Sequence, residues 1–389
     1  MIEPHGGTLV DRVITDEHEQ QIRSEIADKP TIELDTAGYQ DLINISNGRY
    51  SPLSGFMTQN DFLKVAHDMA LEDGTVWPLP IVLDVTPDKA ADLELTEKAG
   101  LRDPEGRLVG AIEIEEIYKY NNPDITNAVF GTDDTDHPGV RDFYNREDFL
   151  VGGEVYVFEQ ERYNGVDLLP KETRVLFEHH NWETIVGFQT RNAPHRAHEY
   201  IQKSGLELVD GLLIQPKLGE KKNGDYRDEI ILGAYKSLLD NYYPDNRASL
   251  SVFPSKMNYA GPREAVFDAL VRKNQGCSHF IIGRDHAGVG DYYGGFEAQQ
   301  IFREIDEIGI TPLFYNYSFY CRECDGMTSE KICPHDEGDQ IHPSGTKIRN
   351  MIQSGSEPSE KIMRPEVARY VMEADNPFID RSKAIGGQT

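Results

Sequence analysis

From about residue 174 to about 316, short apolar runs alternate with helical stretches, and this alternation constrains the fold more than any other feature of the chain. Thr184–Phe188, Gly211–Ile214, Ala248–Phe253, Ser278–Ile282 and Pro312–Tyr315 read as strands. His195–Ser204, Arg227–Asp240, Pro262–Asn274 and Phe296–Ile308 read as helices. Near-continuous apolar strands need cover on both faces, and strands joined through helices run parallel. The pattern therefore predicts a doubly wound parallel sheet. Ligands of such sheets sit beyond the carboxyl ends of the strands.

Two strand ends carry strings that suit an anion. The first runs Gln189-Thr190-Arg191-Asn192-Ala193-Pro194-His195-Arg196-Ala197-His198. Pro194 suits the first turn of a helix, where its missing N–H costs nothing. His195 and His198 are three apart and share a face near the helix start. Free N–H groups and partial positive charge at that start favour phosphate, and Arg191, Arg196 and the two histidines add donors. The second string, Gly283-Arg284-Asp285-His286-Ala287-Gly288-Val289-Gly290, follows Phe280–Ile282. Its glycines let the backbone approach a ligand closely, and Arg284 and His286 bring donors.

Three further segments point the same way. Pro262 opens a helix after Tyr259-Ala260-Gly261, and Arg263 either faces phosphate or caps its own helix. Lys217 ends a third strand and brings a further cation to a strand end. Ser344-Gly345-Thr346-Lys347-Ile348-Arg349 opens a helix that stops at Gly355, with two cations in its first turn. That is the wrong end for the helix dipole, and a bound anion would resolve the mismatch; surface cations are the alternative.

Charge sharpens the problem. The 389 residues carry a net charge of −28, which argues against nucleic-acid or anionic-membrane partners. An anion site in such a chain has to be locally basic, and residues 191–203 hold Arg191, Arg196, Lys203 and two histidines against one acid, Glu199. No apolar run approaches the roughly 18 residues of a membrane span, and the acidic start lacks the apolar core of a secretory leader. A cytoplasmic location is the expectation.

Of the four cysteines, Cys321, Cys324 and Cys333 cluster ahead of His335, in the spacing Cys-x2-Cys-x8-Cys-x-His. Thiolates and imidazole so spaced suit tetrahedral zinc. Four protein ligands leave no open position, so the ion would be structural. His342 competes with His335 for the fourth place, and Cys277 reads as simply buried.

Residues 1 to about 165 differ from the rest: short apolar runs such as Glu154–Phe158 lie between Pro, Gly and Asp turns, which reads as a mainly β domain with some helices, Gln59–Ala70 among them. Pro4-His5-Gly6-Gly7 and the run from Arg49 to Met57 are its distinctive turns. A polar connection over 162–173, with Gly165, Pro170 and Lys171, marks its end.

Taken together, the Gln189–His198 string, the Gly-Arg-Asp-His-Ala-Gly loop, the Tyr-Ala-Gly-Pro-Arg-Glu segment and the N-terminal turns resemble the sulfate adenylyltransferase (ATP sulfurylase) family. The resemblance begins at the first residues and covers the chain. It implies a PUA-like β-rich domain over 1–165, a Rossmann-like nucleotidyltransferase domain over 166–325 and a small C-terminal α/β subdomain over 326–389. It also implies a single-function form, since no Gly-x-x-x-x-Gly-Lys-Ser/Thr string marks a kinase-like domain. The implied reaction is ATP plus sulfate giving adenosine 5′-phosphosulfate and pyrophosphate, with Mg²⁺ on the triphosphate.

By the same resemblance, Gln189, Arg191 and the Ala287 backbone hold sulfate. Thr190, Arg191 and Asn192 act at the α-phosphoryl group. His195 and His198 meet the β- and γ-phosphates, and Gly283, Arg284, Asp285 and His286 hold nucleotide. Cys321, Cys324, Cys333 and His335 take zinc, as in some family members, and a homodimer or larger assembly is implied. Three rival readings remain at this stage: another adenylyltransferase of the superfamily, a zinc-containing RNA-binding module, and a silent homologue.

Overall fold

The computed structural model describes residues 1–158, 165–219 and 222–380; positions 162–164 of the expected connection lie outside the described residues. The chain forms two compact units. One comprises Met1–Leu176, Pro254–Cys277 and Asp285–Ile310; the other comprises Phe177–Phe253, Ser278–Arg284 and Thr311–Thr389. Among the described residues no helix is long and apolar enough to cross a membrane.

The first unit is organised on the ten-residue strand Phe149–Phe158. Val13–Ile14 pairs with it in parallel, while Leu108–Glu113, Gly55–Phe56, Leu83–Val85 and Glu116–Lys119 pair with it antiparallel. Lys98–Arg102 and Thr31–Glu33 extend the sheet beyond Leu108–Glu113. Such crowding demands backbone without side chains. A Cβ on Gly55 would lie 1.9 Å from the Gly153 carbonyl oxygen, and one on Gly153, at φ +153°, would lie 1.9 Å from that of Glu113. The two distinctive N-terminal turns are bound by one buried amide: Asn274 Oδ1 accepts from the His5 N–H at 2.8 Å, and Asn274 Nδ2 donates to the Arg49 and Ser51 carbonyls at 2.9 and 3.0 Å.

The second unit contains the expected parallel sheet. Its strands are β1 (Ile185–Thr190), β2 (Gly211–Leu218), β3 (Ala248–Leu250), β4 (His279–Ile282) and β5 (Thr311–Phe314). The order is β3-β2-β1-β4-β5, parallel at every step. All eight residues of β2 are buried, as strands covered on both faces require. Helix α1 (Arg196–Leu206) packs on β1, β2 and β4, and α2 (Asp228–Tyr242) packs on β2 and β3. Near the C-terminus, α3 is Gly345–Gln353 and α4 is Pro365–Met372, the latter lying on α2.

Three expectations are corrected. Ala248–Phe253 is not one strand but two pieces, Ala248–Leu250 and Phe253–Pro254. Phe296–Ile308 holds only the α-helical turn Glu297–Gln300 and the 3-10 turn Ile301–Arg303. Its N-cap Phe296 offers no side-chain cap, and Glu304, Asp306 and Glu307 would place negative charge at the negative end of a longer helix. Pro194 lies before α1 rather than in its first turn, because the His195 side chain itself supplies the cap.

Gly211 opens β2 directly against the indole of Trp182, where a Cβ would sit 2.2 Å from ring carbons. Gly211→Ala should therefore destabilise the protein by about 2 kcal/mol, since a rigid buried ring cannot give way cheaply. A lower urea midpoint at unchanged slope checks this.

Candidate active site

β1 hydrogen-bonds to β2 on one side and to β4 on the other, with Val186 opposite His279 and Gly187 opposite Phe280. Chain order runs away from β1 in both directions, so its carboxyl end and that of β4 flank the point where the topology reverses. A crevice opens at such a point because the connections leave to opposite sides. Gln189 and Thr190 end β1, with Arg191 and Asn192 just beyond, and Gly283 and Arg284 follow β4 directly. The start of the first string and the first two residues of the second thus stand at adjacent strand ends. A Cβ on Gly283 would meet nothing within 4 Å, so the space beside that backbone is open to a ligand. Arg284 is exposed, its guanidinium carbon 5.4 Å from the Tyr317 ring centre.

The turn after β1 is internally braced. Thr190 is 6% exposed, and its hydroxyl accepts from the Asn192 N–H at 3.2 Å. His195 is the N-cap of α1, its Nδ1 accepting from the His198 N–H at 3.4 Å. The two imidazoles stack with centres 3.7 Å apart, and Phe188 lies 5.4 Å from the His198 ring. Each histidine keeps part of its surface open, but its imidazole is closely packed, and that packing governs its protonation. Burial lowers His195 to about 4, and burial with the neighbouring His195 lowers His198 well below the usual range. Both are therefore neutral at pH 7, and neutrality is what allows His195 Nδ1 to accept the capping bond. His198 Nδ1 is buried without a partner.

The local cationic patch expected over residues 191–203 is partly consumed. Glu199 is buried on α1 and accepts from Lys203 at 2.7 Å and from Arg364 in two bonds of 2.8 and 2.7 Å, with Arg196 at 3.3 Å. Burial raises the Glu199 carboxyl, but the Arg364 and Lys203 bonds outweigh it and the net shift is downward. Arg196 and Lys203 thus neutralise their own helix neighbour, since residues at i−3 and i+4 share its face. Lys217 is buried, with Nζ 5.3 Å from the Phe253 ring centre. Arg349, an open question in the sequence, reaches the site's wall: its Nη1 donates to Asn192 Oδ1 at 2.7 Å.

Asp285, His286 and Ala287 belong to the first unit. There Asp285 and Ala287 adopt left-handed backbone, φ +56° and +54°. His286 Nε2 lies 3.0 Å from a carboxylate oxygen of Asp268, whose other oxygen is 3.3 Å from Arg272 Nη1. All three side chains are buried. Sequence reasoning missed this trio; the signal was Asp268 interrupting the apolar run Ala265–Val271, four residues before Arg272. Arg263 neither caps its helix nor stays available to phosphate: it donates to the Val65 and Pro78 carbonyls at 3.0 and 3.3 Å.

The cysteine cluster forms in the second unit. A hairpin of Ser318–Cys321 and Gly326–Ser329 presents Cys321 and Cys324, and Cys333 and His335 come alongside. His335 Nδ1 lies 3.4, 3.3 and 3.8 Å from the three sulfurs, and Cys324 and Cys333 sulfurs are 3.9 Å apart. A zinc tetrahedron with bonds of about 2.3 Å to sulfur and 2.0 Å to nitrogen has edges of about 3.5–3.8 Å, so the four ligands could hold zinc; a disulfide needs about 2.05 Å. His342 is instead stacked on Tyr317 at 4.8 Å, which decides the fourth position for His335.

Known proteins similar to this chain identify its relatives. A family described as ATP-sulfurylase matches residues 164–374, and one described as a PUA-like domain matches residues 2–160. The chain is 46% identical over 378 residues to the sulfate adenylyltransferase of Staphylothermus marinus, covering 97% of this chain and 99% of the relative. The sulfate adenylyltransferase of Thermococcus onnurineus is likewise 46% identical over 379 residues, covering 97% and 99%. Among solved structures, the hexameric APS kinase from Thiobacillus denitrificans superposes with a TM-score of 0.76 at 25% identity, covering 97% of this chain and 69% of the other.

Two predictions arise here. Because His195 titrates near 4 when folded and near 6.5 when unfolded, the unfolded chain takes up its proton first as pH falls. Stability should decline from pH 6.5 to 4, by up to about 3 kcal/mol from this group. His195→Asn, which can still cap α1, should flatten that part of the stability profile in urea titrations at stepped pH. Second, purified protein should carry one zinc per chain by metal analysis. Cys324→Ser should lose it, lower the thermal midpoint and increase proteolytic cleavage between residues 322 and 341.

Proposed function

This chain belongs to the ATP sulfurylase family, and on that premise we propose that the site at the ends of β1 and β4 joins ATP and sulfate into adenosine 5′-phosphosulfate and pyrophosphate. A sulfate oxygen attacks the α-phosphorus in line. The bond from that phosphorus to the bridging oxygen breaks, and its electron pair leaves with pyrophosphate. Sulfate is fully deprotonated at neutral pH, so no proton is moved. The protein's task is to position two anions and stabilise charge developing between them.

Gln189 and Arg191 hold sulfate, the planar guanidinium donating twice to a tetrahedral oxyanion. Thr190 and Asn192 face the α-phosphoryl group. His195 and His198, neutral and at the N-terminus of α1, meet the β- and γ-phosphates as hydrogen-bonding groups rather than as fixed charges. Gly283 and Arg284 hold nucleotide. Asp285 and His286 for nucleotide and the Ala287 backbone for sulfate rest on the resemblance of their string alone. Mg²⁺ enters with ATP and offsets the triphosphate charge. Zinc in the Cys321, Cys324, Cys333 and His335 cluster is structural, because four protein ligands leave no open position.

The observation that carries the reading is the convergence of Gln189–Asn192 and Gly283–Arg284 at one topological switch point. We further propose three domains, 1–165, 166–325 and 326–389, cytoplasmic work, and assembly of more than one copy, the last because the structural neighbour is described as hexameric.

Pyrophosphate release from Mg-ATP, followed with pyrophosphatase present, should depend on sulfate. Arg191→Ala should reduce that release by about 100-fold or more with the circular dichroism spectrum unchanged. Undiminished turnover in this variant would remove Arg191 from the sulfate site. Release that follows another acceptor instead would move the reaction to a different adenylyltransferase.

A further inference from the structure

We propose that Arg349 is a positioning residue that fixes which way the Asn192 amide points, and so aims its two N–H donors at the phosphoryl group under attack. The inference deepens the assignment of Asn192 above and rests on it.

A guanidinium carries five donors and no acceptor. With Arg349 Nη1 at 2.7 Å, the amide atom facing it has to be Oδ1, because a flipped amide would set its NH₂ against the cation. Arg349 is itself braced: Nη2 donates to Thr346 Oγ1 at 3.3 Å, and Asp225 Oδ1 lies 4.0 Å from Nη1. On the backbone side, the Asn192 N–H is held by Thr190 Oγ1. Gly345, the first residue of α3, lies against the amide: a Cβ there would be 3.4 to 3.5 Å from Asn192 Cγ, Oδ1 and Nδ2. The amide is therefore clamped between its own turn and the start of α3. Among the described residues no acceptor takes the Nδ2 protons of Asn192, which leaves them for one that the substrate brings.

The expectation that Arg349 lies in the first turn is corrected: with Ser344 as N-cap, Arg349 is the fifth of the nine residues of α3. There the helix dipole makes little demand on its charge, and the guanidinium is directed to the Asn192 side-chain oxygen beyond the end of β1. An arginine kept merely to attach α3 would serve stability. An arginine that sets an amide serves the transition state, where a correctly presented donor matters most.

The test is a double-mutant cycle on sulfate-dependent pyrophosphate release by the full chain. Arg349→Ala should lower kcat about 10- to 100-fold with KM for ATP changed less than threefold, and Asn192→Ala should do the same. The double variant should be no slower than Asn192→Ala, because an amide that is absent cannot be misaimed. Arg349→Lys, which keeps a donor at the same place, should recover part of the loss. The inference is overturned if Arg349→Ala keeps kcat within twofold, or if the two losses multiply in the double variant. Should Arg349→Ala prove misfolded by its thermal midpoint, Arg349→Lys and Arg349→Gln carry the same cycle. Wild-type protein with no sulfate-dependent release would instead defeat the proposed function. In that case the Asn192 side-chain amide resonances, assigned by their loss in Asn192→Asp, still decide the orientation: one sharp pair that broadens or doubles in the Arg349 variants supports it, and an unchanged pair refutes it.

Discussion

Parallel pairing of β1 with two later strands, one on each side of it in the sheet, is the constraint from which the site follows. Each strand of the β3-β2-β1-β4-β5 order satisfies its backbone through adjacent strands, so the carboxyl ends stop at one edge. In sheets of this kind ligands sit where the strand order reverses, beyond the carboxyl ends of the two strands that flank that point. The residues placed there follow from chain direction alone: Gln189 to Asn192 leave one strand, and Gly283 and Arg284 leave the next. The histidines come with them, because the turn after β1 has only four residues, Arg191 to Pro194, before His195 caps α1.

The electrostatics are less simple than a basic patch in an acidic protein. The net charge of −28 opposes two anionic substrates, yet Arg196 and Lys203 are directed at Glu199, and His195 and His198 are held neutral by burial. Glu199 with Arg364 acts as a buried tie between α1 and the segment that opens α4, and such a tie is costly to break because it leaves an uncompensated charge behind. Attraction for anions then falls to a helix N-terminus, a few arginines and hydrogen-bond donors fixed in place. Fixed dipoles suit a reaction that moves charge without moving protons, since they need no reorganisation when the charge develops.

The C-terminal residues contribute to the same unit from a distance in sequence. Arg349 bonds to Asn192, Arg364 bonds to Glu199, and Cys333 and His335 lie beside Cys321 and Cys324 of a short hairpin. Each of these joins a residue near 190–199 or 321 to one much later in the chain or gives a loop a rigid frame. The turn after β1 is therefore supported by side chains that no reading of the 183–198 string alone would include.

Much of this was legible from the amino-acid order. Apolar runs of the right length located β1, β2, β4 and β5 to within a few residues, and the Pro262–Asn274 helix at both of its ends. The cysteine and histidine spacing picked out the four residues whose side chains cluster closely enough to hold a metal, while His342 stacks on Tyr317 instead. These features are local: strand period, cap chemistry and ligand spacing act within a dozen residues. Pairing was not legible. Whether Arg263 serves phosphate or the Val65 and Pro78 carbonyls, whether Arg196 faces a ligand or Glu199, and which atom Arg349 reaches depend on groups up to 198 positions away. Such choices are settled by packing and desolvation, which bring distant charges together and penalise any left alone. The sequence by itself thus determined the kind of sheet, its strand ends and the chemical types gathered there. Only the tertiary structure decided which cations remain for substrate and which are spent on neighbours, because a charge's partner is chosen by three-dimensional proximity and not by order along the chain.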